Sequence, residues 1–380
     1  MSPTPHTTNL PTQPASYAWE ATDEAVAARY GLPLEAVERF DLNTPGEPPA
    51  WLPDALARLR YQAPLNDYPP GDYGVLGETA AAVHGVPPDR VVVAAGADEV
   101  LDICLKAFLP PGGTALIPTP TYAMYRVLVE QRPAVVAAIP RLGPAEGRLV
   151  DVDAVRAAAE NVALIHLCDP NNPTAVPEPP GRLAALLDGI AADAAAAGRE
   201  APVVVLDEAY AEFVGRTSIP LVDRYPRLVV VRTMSKAYAL ASFRVGFAIV
   251  GPALADRLRL FRAPGSISTV SATVATEALL RPDEMRERVA RTVAERERLS
   301  AGLAAAGWAA GESVTNFLLV DFGGADRAAA AAEALLSRGL VPRTFGEGHP
   351  LADHLRLTVR SPVANDRLVE AARAFGRSRA

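Results

Sequence analysis

Lysine is nearly missing from this chain. Of 37 basic residues among 380, only Lys106 and Lys236 are lysines, and all the others are arginine. The accompanying Ala, Arg and Pro bias is that of a GC-rich coding sequence, which places arginine wherever any cation serves. A lysine kept against that drift is a candidate for chemistry that needs an amine able to lose its proton, as arginine cannot. Cysteine is scarce too. Cys104 and Cys168 lie inside apolar segments with no ligand-like or disulfide-like spacing, which predicts a reducing, cytoplasmic setting and no metal site. There is no basic excess: the net charge is −7, without any basic run. That excludes an extended surface for nucleic acid or anionic lipid. No apolar stretch reaches the roughly 20 residues a membrane-spanning helix needs, so no membrane association is expected. Residues 1–16 are Pro/Thr-rich, lack both the basic and the apolar region of a signal peptide, and read as a flexible start.

What remains is a globular composition, 49% hydrophobic and 21% charged. It suffices for one large domain and a smaller one, each with its own core. The pattern predicts an N-terminal arm over residues 1–50, a large domain over 51–264 and a small C-terminal domain over 265–380. In the large domain, near-continuous apolar runs at residues 91–94, 114–117, 134–139, 162–167, 202–206, 228–231 and 245–250 alternate with helical segments. Such strands are buried on both faces, which predicts an α/β domain with a mostly parallel central sheet flanked by helices. Beyond Pro264 long helical patterns and shorter strands (residues 314–321, 340–343 and 354–359) read as a smaller α+β domain.

Ligands bind beyond the carboxyl ends of strands in such a sheet, and four strand ends here carry polar residues. The run 203–206 ends in Asp207-Glu208-Ala209-Tyr210. A carboxylate directly after four apolar residues is expensive to bury unless a cation meets it. Asp207 suits the protonated ring nitrogen of pyridoxal phosphate, although taken alone it reads first as a helix cap. The run 228–231 leads to Lys236, with Arg244 eight residues on. Lys236 can act as an amine nucleophile, and Ser235 and Arg244 can hold a phosphate; the competing reading is a solvated lysine at a helix start. Asn172 follows the run 162–167 inside an Asn/Pro turn, where it and Tyr210 can donate to a phenolic oxygen. Gly96-Ala97-Asp98 opens a helix whose free N–H groups can cradle a phosphate. Tyr122 stands at another helix start, placed to stack on a ring or to fill the core.

Their order and spacing carry more than any one of them. Tyr68-Pro69, Gly96-Ala97-Asp98-Glu99, the segment 118–125, Pro170-Asn171-Asn172-Pro173-Thr174, Asp207-Glu208-Ala209-Tyr210, Thr233-Met234-Ser235-Lys236 and Leu355-Arg356-Leu357-Thr358-Val359 together resemble the fold-type I, class I/II pyridoxal-phosphate aminotransferases. Within that family the chain is most similar to the histidinol-phosphate aminotransferase branch, from about Asp41 onward. The resemblance implies that Lys236 is the Schiff-base lysine and proton shuttle, that Asp207 pairs the pyridinium, and that Tyr122 stacks on the ring. It implies Asn172 and Tyr210 at the phenolic oxygen, and Ala97, Asp98, Ser235 and Arg244 at the phosphate. Tyr68 would reach the phosphate of a neighbouring subunit, which implies a homodimer. Arg356 matches the arginine that clamps the substrate's anionic group, and Asn316 and Arg343 match further substrate-side positions.

Four departures from the family pattern stand out. Ala97 replaces a usual serine and removes one phosphate contact. Ala175 replaces a glycine after Asn172-Pro173-Thr174, which predicts a different bend in that loop. Arg360 replaces another glycine, which predicts an extra cation near the substrate. The segment Asn43-Thr44-Pro45-Gly46-Glu47 lacks the family's substrate-facing tyrosine. The expected activity is amino transfer between an amino acid or amino-alcohol phosphate and a 2-oxo acid. Aromatic or specialised amino acids are alternative donors. Decarboxylation, as in the threonine-phosphate decarboxylases, is an alternative reaction. A non-catalytic cofactor-binding sensor ranks last, because the chain has neither spare length nor a basic region for a DNA-binding module.

Overall fold

Seven strands pair into one sheet, in the spatial order Val91–Ala94, Gly246–Val250, Leu228–Thr233, Val203–Asp207, Leu164–Cys168, Thr114–Thr119, Val135–Pro140. All neighbours run parallel except Gly246–Val250, which is antiparallel to both its partners. This computed structural model describes residues 16–62 and 65–377; the predicted flexible start, up to residue 15, lies outside the described residues. Strands Leu164–Cys168, Val203–Asp207, Leu228–Thr233 and Gly246–Val250 are buried along their whole length. Their apolar runs are therefore covered on both faces, as a doubly wound sheet requires. Helices Gly96–Phe108, Ala123–Glu130 and Pro252–Phe261 pack on one face, and Val152–Ala158 with Arg182–Ala196 on the other.

The small domain is a three-stranded antiparallel sheet, with Phe317–Asp321 between His354–Thr358 and Ala309–Ala310. Helices Pro282–Ala305, Ala325–Leu336 and Pro362–Arg377 cover it around Trp308 and Phe375. Two divisions differ from the sequence reading. Helix Thr269–Leu279, placed by sequence in the small domain, packs through Val274, Ala275, Ala278 and Leu279 against helix Gly74–His84 of the large one. The supposed arm is no appendage: Glu38–Arg39 pairs in parallel with Leu340–Val341, and Phe40 is buried in the small-domain core. Residues 38–46 therefore pass from the small domain into the gap between the two. Among the described residues no helix is long and apolar enough to cross a membrane.

Candidate active site

The parallel register aligns Cys168 with Asp207 and Asp207 with Val231, so adjacent strand ends open into one place. There a cavity of about 480 Å³ is lined by Asp98, Tyr122, Asn172, Asp207, Tyr210, Ser235, Lys236 and Arg244 from the large domain. Arg343 and Arg356 reach it from the small one. Ala97 lines it as well. Two of the sequence-selected residues lie elsewhere. Tyr68 is 96% exposed and away from this cavity. Asn316 is buried behind the wall, where its Nδ2 donates to the Asn43 carbonyl at 2.9 Å.

At one end, helix Gly96–Phe108 begins without a side-chain cap, because its N-cap residue is Ala95. Unpaired N–H groups at a helix start attract an anion. Gly96 has φ +83°, and a Cβ there would stand 2.5 Å from Nη2 of Arg244, so only glycine lets that guanidinium lie over the helix start. Arg244 donates to Asp98 Oδ2 at 3.3 Å and to the Ala241 carbonyl at 3.1 Å. Ser235 Oγ accepts from Thr233 at 2.9 Å, and Thr233 also lines the cavity, so a second hydroxyl stands near where Ala97 offers none.

Deeper in, Asp207 Oδ2 accepts from the Tyr125 hydroxyl at 2.8 Å and Oδ1 from the Ala209 N–H at 2.9 Å. Burial outweighs these bonds and pushes the carboxyl up to about 6. Tyr122 is held by its hydroxyl on Asp98 Oδ1 at 3.1 Å. Burial, with Arg356 and Arg244 adding to it, lowers Lys236 to about 8, against the pull of Asp98 and Asp207. Among the described residues its Nζ donates one hydrogen bond, to the Leu42 carbonyl at 3.3 Å. The Asn172 loop is built by Asn171, which donates to Pro120 O (3.1 Å) and Thr174 Oγ1 (2.9 Å) and accepts from Thr121 (2.8 Å).

At the other end Arg356 is buried. Its Nη1 donates to Asn172 Oδ1 at 2.6 Å, its Nη2 donates to the Asp41 carbonyl, and its Nε has no partner among the described residues. Arg343 donates to the Ala18 carbonyl at 2.5 Å, sits 3.6 Å from Glu20 and lies over the Tyr17 ring at 5.1 Å. Tyr17 and Trp19, packed edge to face at 4.9 Å, complete the wall. Sequence reading missed both. The signal was available: two aromatics in alternate positions of a Pro/Thr-rich segment with no core of its own. One expectation fails here. Arg360 does not face the cavity; it donates to Glu38 (2.7 Å) and to the Thr44 and Pro45 carbonyls (3.0 and 3.1 Å), clamping the loop from behind. Ala175 stands in the left-handed region at φ +64°, a conformation that glycine takes without strain.

A lysine of lowered proton affinity, a buried carboxylate and an uncapped helix start around one cavity define a cofactor-dependent group-transfer site. Residues 39–373 match the family described as aminotransferase class I and II, and the chain belongs to that family. The histidinol-phosphate aminotransferase of Roseiflexus castenholzii is 36% identical over 356 residues, 91% of this chain and 92% of that one. That of Symbiobacterium thermophilum is 34% identical over 355 residues, 90% and 94% of the two chains. The fold superposes with a TM-score of 0.85 on the Sinorhizobium meliloti histidinol-phosphate aminotransferase solved with pyridoxal 5'-phosphate, at 25% identity and 96% of each chain.

The cofactor is pyridoxal phosphate, and the residues present fit it. The uncapped helix start beneath Arg244 suits the phosphate. The buried, cation-poor carboxyl of Asp207 suits a protonated ring nitrogen. Asn172, whose Oδ1 is taken by Arg356, makes no bond through its amide nitrogen among the described residues, which leaves an N–H for a phenolic oxygen.

Proposed function

We propose that this aminotransferase takes its amino group from L-histidinol phosphate and passes it to a 2-oxo acid. The observation that carries the reading is the small-domain end of the cavity. There Arg356 keeps a buried Nε without a partner among the described residues, beside Arg343 and the Tyr17 and Trp19 rings. An unpaired buried guanidinium nitrogen needs an acceptor, and a phosphate monoester next to a heteroaromatic ring supplies one. The names of the relatives agree.

Bound pyridoxal phosphate supplies the electron sink that acidifies the donor's Cα–H. Lys236, neutral above about pH 8 by its own environment, serves first as the amine that anchors the cofactor and then carries the proton between donor Cα and cofactor C4′. Asp207 holds the positive charge at the ring nitrogen. Tyr122 covers the ring face, and Asn172 and Tyr210 donate to the phenolic oxygen. The Ala97 and Asp98 N–H groups, Ser235 and Arg244 anchor the phosphate. Arg343 and Arg356 hold the donor's anionic group, and the Tyr17 and Trp19 rings line that end of the cavity for the donor's ring. The protein works as a cytoplasmic homodimer in which the partner's Tyr68 reaches the phosphate. The exposure of Tyr68 with Leu56, Leu65 and Val75, large apolar side chains between residues 56 and 75, supports such a covered face.

One observation favours a second donor. Glu20 already faces Arg343, which leaves Arg356 to hold a single carboxylate and the aromatic pair to hold a ring, as an aromatic L-amino acid requires. Titrating the yellow holoenzyme with L-histidinol phosphate and with L-phenylalanine decides between them. Bleaching of the visible band by micromolar histidinol phosphate is expected. Bleaching by phenylalanine alone would replace the first reading with the second.

A further inference from the structure

Asn43 lies in the loop that crosses between the domains, buried, with its backbone in the left-handed region at φ 54°. Asparagine tolerates that conformation better than most residues. Its main chain is fixed from the small domain: the N–H donates to Thr358 Oγ1 and the carbonyl accepts from Asn316 Nδ2, both at 2.9 Å. Its neighbours are pinned as well, Leu42 O by Lys236 and Asp41 O by Arg356. The side chain is thus delivered to a set place, and its Nδ2 donates to the Tyr210 hydroxyl at 2.9 Å. The Oδ1 on the other side faces Thr358 Oγ1 at 3.3 Å.

We propose that Asn43 is a positioning residue whose amide, by donating to the Tyr210 hydroxyl, commits that hydroxyl's single proton to the cavity and so to the cofactor's phenolic oxygen. This rests on the cofactor placement given above. A phenol carries one proton and accepts on its lone pairs. When Asn43 donates, the Tyr210 oxygen accepts, and its own proton has no acceptor among the described residues. The ring is fixed, packed edge to face on Phe317 at 5.3 Å, so the proton can be given only to what fills the cavity. With the amide reversed, Tyr210 would spend its proton on Asn43 and present a lone pair to the phenolic oxygen. Asn172 is arranged by the same logic: Arg356 occupies its Oδ1 and turns the amide hydrogens inward. Each of the two donors at the phenolic oxygen is therefore aligned by a further residue, one from the loop and one from the small domain.

Donation to that oxygen favours its anionic form and lowers the proton affinity shared with Lys236 Nζ. The charged and titratable groups around Tyr210 and Lys236 are Arg356, Arg244, Asp98, Asp207 and Cys168, and neither Asn43→Gly nor Tyr210→Phe changes a charge among them. The test is the pH midpoint of the visible absorbance of the resting holoenzyme, with no donor added. Asn43→Gly keeps the left-handed backbone and removes the amide; it should raise the midpoint by about half a pH unit, roughly threefold in proton affinity. Asn43→Asp keeps shape and backbone but only accepts, so it should raise the midpoint further, by about one unit. In a Tyr210→Phe background the Asn43→Gly shift should vanish, because the path through the hydroxyl is gone. Unchanged midpoints in both Asn43 variants, or an equal Asn43→Gly shift in the Tyr210→Phe background, would overturn the proposal. A wild-type protein that takes up pyridoxal phosphate without any visible band would overturn the Lys236 assignment and this proposal together. Should Asn43→Gly fail to fold, Asn43→Ala, neutral and without the amide, takes its place with and without Tyr210→Phe.

Discussion

Changing Asp207 to asparagine separates what this carboxylate costs the fold from what it does for the cofactor. Without the cofactor, Asp207 is buried at the end of its strand, and burial pushes its carboxyl up to about 6, against about 3.9 in an unfolded chain. Between about pH 4 and pH 6 the folded protein therefore holds more protons than the unfolded one. Its stability falls as pH rises through that window, and above pH 6 the whole penalty of about 3 kcal/mol is present. The Asp207→Asn change would remove the titration. The new amide oxygen can still accept from the Ala209 N–H, but the amide nitrogen meets the Tyr125 hydroxyl, which must then find another acceptor. That offsets about 1 kcal/mol of the gain. Urea denaturation of the cofactor-stripped Asp207→Asn protein should show it about 2 kcal/mol more stable than wild type at pH 8, with the order reversed by about 1 kcal/mol at pH 4, where only the lost Tyr125 bond remains. Adding pyridoxal phosphate should reverse the order, because the ionised carboxylate then faces a cation, and amino transfer should fall at least about a hundredfold in the variant. A stripped variant no more stable than wild type at pH 8, or equally favoured at pH 4, would refute the reasoning.

The rate at which pyridoxal phosphate develops its visible band on stripped protein should climb with pH and level off above about 8, following the neutral form of Lys236; a midpoint near the ordinary lysine value of about 10.4 would contradict the environment described. Gly246→Ala should weaken cofactor retention on dialysis about tenfold or more, because the new Cβ would stand 2.6 Å from Gly96 C and 2.8 Å from Ala97 N, main-chain atoms of the helix start; unchanged retention would show that this start does not hold the phosphate. Ala175→Val should destabilise by about 3 kcal/mol, since a β-branched residue would have to adopt φ +64° while packed on Tyr210 and Phe317. Ala175→Gly should stay within about 1 kcal/mol of wild type in urea, its relief of left-handed strain offset by the lost methyl and the looser unfolded chain.

Local chemistry made most of the site legible in advance. Asp207, Asn172 and Lys236 each follow an apolar strand, and a parallel sheet brings such ends together whatever its exact order. Residues whose role depends on distant pairing were not legible. Phe40 joins the small-domain core because Glu38 pairs with Leu340, some three hundred residues away, and nothing near Phe40 announces it. Helix Thr269–Leu279 follows Pro264 and Gly265, which punctuate like a domain boundary, yet its apolar stripe finds its partner in helix Gly74–His84. Arg360 looked like a substrate cation because of its position after Arg356. The strand ends at Thr358, however, and the Arg360 side chain turns back onto Glu38 and the loop carbonyls. Gly246–Val250 shows the same limit, since its apolar run is that of a parallel strand and only the sheet closure reverses it.

The lysine at position 236 has a physical reason in the cavity. Of the four cationic side chains that line it, the three arginines are each held by a fixed acceptor: Arg244 by Asp98, Arg343 by Glu20 and the Ala18 carbonyl, Arg356 by Asn172 and the Asp41 carbonyl. A guanidinium keeps its charge under these conditions, so all three stay cationic at the cavity wall. Lys236 has only a long bond to a carbonyl among the described residues, and burial together with Arg356 and Arg244 lowers its proton affinity. Arg356 and Arg244 thus act on the amine by charge alone, whatever anion the cavity takes. An arginine at position 236 would add a fourth fixed charge and no nucleophile. Lysine is the one cation this cavity cannot exchange for arginine, whereas Lys106, half-exposed and paired with Asp102, carries no such constraint.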